Sequence, residues 1–295
     1  MSHVLTLIGN TSTELTQDHV DAVAGALRTA GSPDWLNPGH ACDLPLEAAD
    51  TSTIEAARTA LKGTVIDVVC QPLAHRRKKL LVADMDSTII EQECIDELAD
   101  ALGIRDAISE ITERAMRGEL EFEPALRERV GLLKGLAESE LQRVYETQIT
   151  ETPGGRMLCA TMRKHGGTCA LVSGGFTFFT ERVAKSVGFT SNQANTLLVE
   201  NGALTGEVSN PILGREAKVS ALKSLAADLK IDPRETMAVG DGANDLGMIG
   251  EAGLGVAFRA KPVVAAAAPA QINHGDLSAL LYIQGYRSDE IVNPA

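Results

Sequence analysis

The sequence predicts an α/β fold: a parallel β-sheet covered by helices on both faces, interrupted by a helical insertion and preceded by a small α+β unit. Three observations predict it. From Leu80 onward the short apolar runs "LLVA", "TCALV", "TMAV" and "GLGVAF" alternate with helical segments, as parallel strands joined by crossover helices do. Polar and glycine residues gather just after three of these runs, at Asp84 and Asp86, at Ser173-Gly174-Gly175 and at Gly240-Asp241-Gly242. Ligands of such sheets bind beyond the carboxyl ends of the strands. Finally, the stretch from about 93 to 150 keeps helical periodicity, with Ala107, Ile108, Ile111 and Ala115 on one face and Leu126, Val130 and Leu133 on another, so it reads as a helical cap over those strand ends.

Taken in order, "VLTLI" at residues 4–8 is a strand and "TQDHVDAVAGALRTAG" an amphipathic helix that stops at Gly31. A Pro- and Gly-containing stretch follows, with a weak strand signal from Ala41 to Leu46. The helix "STIEAARTALKG" then leads into the strand "TVIDVVC". These elements form a first unit over residues 1–75, and residues 76–295 form the second. Between them the basic run His75-Arg76-Arg77-Lys78-Lys79 is read as a solvated linker. In "LLVADMDST" four consecutive apolar residues suit a strand buried on both faces, while Asp is depleted from strands and costly to bury unpaired. Asp84 and Asp86 therefore belong just past the strand's end. Further on, "GGRMLCATMRKHG" and "KVSALKSLAADLK" are helices, and "NTLLVENGALTGEV" is a hairpin turning at Asn201-Gly202.

Composition narrows the function. Of 295 residues, 27 are Lys or Arg and 40 are Asp or Glu, a net charge of -13 that repels nucleic acid and anionic membranes. A phosphate substrate would need a local basic pocket. Cys42, Cys70, Cys94, Cys159 and Cys169 are odd in number and lack CxxC spacing, which suits structural thiols in a reducing compartment. The amino terminus lacks a basic segment followed by an apolar core, and no apolar run approaches the length of a membrane span. The expected location is the cytoplasm.

If the strand ends converge, Asp84, Asp86, Ser173, Lys218, Asp241 and Asp245 form one site. Several carboxylates without His or Cys favour a hard cation, and Mg²⁺ takes one or two carboxylates plus phosphate and water. Ser173, in a glycine-rich loop opening a helix, can bind phosphate through its hydroxyl and the backbone N–H groups that follow. Lys218 supplies positive charge. A GxxxxGKS or GxxxxGKT sequence is absent, which leaves a carboxylate nucleophile forming an aspartyl-phosphate as the economical chemistry.

At this point "DMDST", "SGG", the lone Lys218 and "GDGAND" resemble the four motifs of the haloacid dehalogenase superfamily. The longer segments "DMDSTIIEQE", "FEPALRERVGLLKG", "LVSGGF" and "VGDGANDLGM" resemble its phosphoserine phosphatase family, and the likeness runs over about residues 78–290. The resemblance implies a Rossmannoid parallel sheet with a helical cap. It implies Asp84 as the nucleophile and Asp86 as the group that protonates the leaving serine oxygen and then activates water. Metal ligation would come from the Asp84 carboxylate, the Asp86 backbone carbonyl and the Asp241 carboxylate. Ser173 and the Gly174 amide would hold phosphoryl oxygens, and Lys218 would neutralise phosphate and nucleophile. Asn244 would contact the phosphate region, and Asp245 would support Lys218 or the metal's water shell.

In the cap, the resemblance implies that Arg129 pairs with the substrate α-carboxylate and Glu93 with its α-ammonium, with Met116 and Phe122 as an apolar wall. Gly103 and Gly154-Gly155 are candidate hinges for cap motion, although helix-stop and turn roles explain them equally well. The implied reaction is Mg²⁺-dependent hydrolysis of O-phospho-L-serine, the last step of L-serine biosynthesis. Relatives often carry an amino-terminal domain of the amino-acid-binding ACT type, a βαββαβ unit. Residues 1–75 match it in outline, but the short middle hairpin holds Trp35, Pro38 and Pro45. A homodimer through this unit is expected. The residues alone leave open another compact phosphate ester as substrate, or a second acceptor in place of water. A non-catalytic amino-acid-binding regulator would have lost a catalytic group, and none is missing.

Overall fold

The computed structural model describes residues 1–10, 12–27, 31–116 and 119–294, without the side chain of Met116. The first elements are β1 (His3–Ile8), α1 (Gln17–Leu27), β2 (Asp34–Asn37), β3 (Ala41–Leu46), α2 (Thr51–Ala60) and β4 (Asp67–Pro72). They build a four-stranded antiparallel sheet in the order β2-β3-β1-β4, the βαββαβ outline expected. The period of two along each strand sorts the residues. Leu5, Leu7, Cys42, Leu44 and Val68 pack with Val20 and Val23 of α1 and Ala57 of α2. Ile8, Leu36, Ala41 and Val69 face the other way and join the core of the larger sheet.

The chain continues through β5 (Leu80–Ala83), α3 (Cys94–Leu102), α4 (Arg105–Met116), α5 (Phe122–Leu132), α6 (Glu138–Gln148), α7 (Gly155–Lys164), β6 (Thr168–Phe176), α8 (Thr177–Val187) and β7 (Ser191–Asn195). A hairpin of β8 (Leu197–Glu200) and β9 (Ala203–Val208) follows, then α9 (Arg215–Asp228), β10 (Thr236–Gly240), α10 (Leu246–Glu251), β11 (Leu254–Phe258), α11 (Pro262–Ala267), β12 (Ala270–Ile272) and α12 (Ala279–Ile283). Six strands form the parallel sheet β12-β11-β10-β5-β6-β7. β5 lies at its centre with every residue buried. Leu80 and Val82 pack toward Ala221 and Leu222 of α9, whereas Leu81 and Ala83 belong with Leu158 and Met162 of α7. An apolar run without alternation is what two covered faces require.

The insertion is helical as expected, built of α3 to α6, with Ile108, Ile111, Leu126, Val130 and Leu133 buried. Ala107 is exposed, because the buried stripe of α4 is narrow and carries only Ile108 and Ile111 inward. Asn201 and Gly202 join β8 and β9 with φ of 52° and 77°, a two-residue turn with both residues left-handed. Gly103, at φ 69°, closes α3, and Gly154, at φ 84°, precedes α7.

The basic run is not a solvated linker. The Arg76 guanidinium donates to both Asp43 carboxylate oxygens at 2.6 and 2.8 Å, to Thr6 Oγ1 at 2.9 Å, and to the carbonyls of Ile283 at 2.8 Å and Tyr282 at 3.0 Å. Lys78, buried, donates to the Arg234 carbonyl at 2.7 Å. A charge run is expected to be solvated only when no acceptors surround it, and here distant segments supply them. Asp67 adds a second anchor: its carboxylate accepts the backbone N–H groups of Asn273, His274 and Gly275 at 2.7 to 3.3 Å. The small sheet is thus fastened by one face to the segment around α12. Its edges are engaged as well. The Leu36 carbonyl on β2 accepts from Ser288 N–H at 3.0 Å, and β4 lies against β12. A homodimer formed by pairing these sheets edge to edge therefore finds no support. Among the described residues no helix is long and apolar enough to cross a membrane.

Candidate active site

Adjacent parallel strands β5 and β10 end at the same edge of the sheet, so Asp84 and Asp241 emerge side by side. The Asp84 N–H still donates to the Val239 carbonyl at 3.0 Å. Beyond it the chain turns through Met85–Ile89, with Ser87 held at φ 52°. That turn returns Thr88 toward Asp241, 3.5 Å from its carboxylate, and brings the Ser87 hydroxyl to Glu93 at 2.7 Å. Gly240 has no room for a side chain, because a Cβ there would overlap the Asp245 carboxyl group.

Lys218 enters from α9 and is 1% exposed. Its ammonium lies 2.7 Å from Asp84 and 2.6 Å from Asp245. Burial, the largest single influence, lowers its pKa, but together the two carboxylates outweigh it and hold the ammonium above its ordinary range. Asp245 is nevertheless pushed up to about 7, by burial and the Asp84 charge, with Lys218 opposing. Asp241 is pushed up to about 8 by burial and by the charges of Asp84, Asp245 and Glu93. One ammonium therefore serves more negative charge than it can balance. Carboxylate oxygens of Asp84, Asp241 and Asp245 lie within 4.8 Å of one another, a hard-oxygen set suited to a divalent cation. The uncompensated negative charge is what such a cation would relieve. Asp245, expected to support Lys218 or the metal's water shell, accepts from Lys218 at 2.6 Å and also lies in the acidic cluster.

Asp86 points elsewhere. Its Oδ1 accepts the Cys94 N–H at 2.9 Å, and the Ser173 hydroxyl donates to Oδ2 at 3.3 Å. A Cβ on Gly175 would come within 2.6 Å of Asp86 Oδ2, so this glycine gives the carboxyl its place. Burial, then the charges of Glu93 and Asp84, raise Asp86 to about 7, which suits a group that must give and take a proton near neutrality. Ser173 Oγ also accepts the Gly175 N–H at 2.8 Å. The glycine-rich segment expected as a loop is the irregular end of β6, and α8 begins only at Thr177. Asn244, half-buried, follows Gly242 in a short turn, where a Cβ on Gly242 would overlap its side chain.

From the cap, Phe122 lies over the glycines of the core: a Cβ on Gly174 or Gly214 would come within 3.2 or 3.0 Å of its ring. Arg129 is partly buried and makes only long bonds, 3.3 Å to the Ala125 carbonyl and 3.4 Å to Thr112 Oγ1. Among the described residues it has no ion-pair partner. Desolvation lowers its pKa, while the charges of Glu93, Asp96 and Asp86 act in the opposite sense. The Glu93 carboxyl is raised by desolvation and the Asp84 charge, against the Ser87 hydrogen bond and Lys261. The Met116 side chain lies outside the described residues.

The family model of haloacid dehalogenase-like hydrolases matches residues 81–249. The chain is 44% identical to a phosphoserine phosphatase of Polaromonas sp. over 74% of its own length and 95% of the relative's. It belongs to the phosphoserine phosphatase family of haloacid dehalogenase-like hydrolases. A phosphoserine phosphatase of Streptomyces coelicolor is 38% identical over 98% of the chain and 72% of its own length. A crystal structure of a probable phosphoserine phosphatase from Vibrio cholerae superimposes with a TM-score of 0.79 at 33% identity, covering 98% of this chain and 88% of that one. The last two matches extend across the small antiparallel sheet.

Sequence reasoning gave no site role to Ser87, which donates to Glu93, to Thr88, 3.5 Å from Asp241, or to Gly240, whose missing side chain leaves room for Asp245. The two hydroxyls directly after Asp86 were the available signal, but a helix-capping role accounts for such residues equally well.

Proposed function

We propose that the protein is a Mg²⁺-dependent phosphatase that hydrolyses O-phospho-L-serine to L-serine and inorganic phosphate in the cytoplasm, through a phosphoryl group carried on Asp84. The observation that carries the substrate is Arg129, a partly buried guanidinium with no carboxylate partner among the described residues, set in the cap within electrostatic reach of Glu93 and Asp86. A bound α-carboxylate would give it the bidentate partner it lacks. Glu93 would take the α-ammonium, and Phe122 with Met116 would line the apolar side.

Asp84 attacks phosphorus, and the bond from phosphorus to the serine oxygen breaks. Asp86, which titrates near neutrality, delivers its proton to that oxygen. In the second half the Asp86 carboxylate takes a proton from water, the resulting hydroxide attacks phosphorus, and Asp84 leaves as a free carboxylate. Lys218 stays protonated throughout and compensates Asp84 and the phosphoryl oxygens. Ser173 and the Gly174 amide hold those oxygens, and Asn244 borders them. The carboxylates of Asp84 and Asp241 and the Asp86 carbonyl, supported by Asp245, would hold a magnesium ion, which when bound would supply charge screening between nucleophile and phosphate dianion. The reading divides the chain into an ACT-like unit of residues 1–75 and a catalytic unit of 76–295 with its cap at about 93–150.

The test is phosphate release from O-phospho-L-serine and from O-phosphoethanolamine, which lacks the carboxylate, with and without Mg²⁺. Asp84→Asn should lower kcat by about 10⁴-fold or more. Arg129→Ala should lower kcat/KM for phosphoserine about 10²-fold and for phosphoethanolamine less than about threefold. Wild-type protein that ignores phosphoserine but cleaves other esters would overturn the substrate, and an active Asp84→Asn would overturn the nucleophile.

A further inference from the structure

A phosphate dianion approaching this site meets a chain of net charge -13 and the carboxylates of Asp84, Asp86, Asp241 and Asp245, with Glu93 within electrostatic reach of them. Two cations have been described there. Lys218 is buried and engaged by two carboxylates, and Arg129 belongs to the cap. Lys261 is a third. It follows β11, whose carboxyl end lies at the same edge of the sheet as those of β5 and β10, and it precedes α11. Its backbone N–H donates to the Asp241 carbonyl at 3.1 Å, which holds its main chain against that of a residue of the acidic cluster. The side chain is exposed and, among the described residues, has no carboxylate within ion-pair distance. Its ammonium also lies within electrostatic reach of both Asp241 and Glu93. An exposed ammonium whose backbone is held beside a buried acidic cluster attracts anions more than an isolated surface lysine does, because the neighbouring low-dielectric protein focuses its field.

We propose that Lys261 is a residue beside the acidic cluster that recruits the substrate's phosphate dianion and retains product phosphate, without taking part in bond making. The inference rests on the phosphatase reading of the site. It predicts an effect on binding that salt removes, which a structural role would not produce.

The experiment compares wild type, Lys261→Met and Lys261→Arg in steady-state kinetics with O-phospho-L-serine and with p-nitrophenyl phosphate. Competitive inhibition by inorganic phosphate is measured alongside, at about 0.02 M and about 0.5 M NaCl. In low salt Lys261→Met should raise both KM and the inhibition constant for phosphate about 3- to 10-fold, with kcat falling by less, and the ratio should shrink below about twofold in high salt. Lys261→Arg should restore most of the difference. Unchanged KM and inhibition constants in low salt, or a ratio indifferent to salt, would overturn the proposal. Phosphate inhibition can be followed with either ester. Rejection of phosphoserine by wild type would therefore remove the substrate assignment, while the inhibition ratio still upholds or overturns Lys261.

Discussion

Arg76 and Lys218 are both cations enclosed by this fold, and both lie within 2.7 Å of carboxylate oxygens. Around Arg76 the charges match one to one. Asp43 is its carboxylate, and the remaining donors go to Thr6 Oγ1 and to the carbonyls of Ile283 and Tyr282. Around Lys218 they do not match. Asp84 and Asp245 share its ammonium, Asp241 stands beside them, and Asp241 and Asp245 are driven far above the ordinary carboxylate range. A matched, fully hydrogen-bonded charge locks two segments together and does nothing else. An excess of buried like charge costs stability and persists where it serves a ligand of opposite sign. The same chemistry of cation and carboxylate thus builds a joint in one place and a reaction centre in the other.

The contrast breaks most severely at Gly240. Gly240→Ala places a methyl group against the Asp245 carboxyl and should displace it from Lys218, lowering kcat by about 10²-fold or more. A variant within twofold of wild type would show that Asp245 can move without consequence. Next in size is the joint. Arg76→Met leaves Asp43 buried without its partner and should reduce unfolding free energy by about 3–5 kcal/mol. KM for the folded enzyme should stay at the wild-type value. Chemical denaturation with parallel kinetics checks this, and an altered KM at wild-type stability would assign Arg76 to the site instead.

The smallest effect is the pH dependence of stability. Asp86 and Asp245 stand at about 7 and Asp241 at about 8 in the folded chain, against about 4 when unfolded. Between those values the folded state binds more protons than the unfolded one. The stability from these groups is therefore fully present below about pH 4 and is lost as pH rises through about 7 to 8. Metal-free protein should melt at a lower temperature at about pH 8 than at about pH 5.5, and Mg²⁺ should raise the melting temperature more at the higher pH. Asp241→Asn should weaken both trends. Equal Mg²⁺ increments at the two pH values would contradict the electrostatic picture of the cluster.

Much of this was legible in the chain before folding. "LLVA" ends in carboxylates because β5 is buried along its whole length and only its end can carry charge. The hairpin at Asn201-Gly202 and the helical insertion followed from turn chemistry and periodicity. What could not be read was the direction of Asp86. Asp84 and Asp86 are two residues apart, yet one faces Lys218 and the other faces Cys94 N–H and Ser173. Ala107 was placed on the buried face of α4 and is exposed.

By itself the sequence determined the strands of the parallel sheet and the polar residues at their ends, since strand length, apolar runs and turn residues are local properties. Only the tertiary structure decided that a basic run becomes a joint, that Asp86 turns to Cys94 N–H and Ser173, and that Ser87 and Thr88 come to Glu93 and Asp241. The reason is distance along the chain. Arg76 finds its carbonyl at Ile283, 207 residues away, and Thr88 meets Asp241 across 153. The cost of burying a charge depends on acceptors that such remote segments deliver, and no local pattern records where they will be.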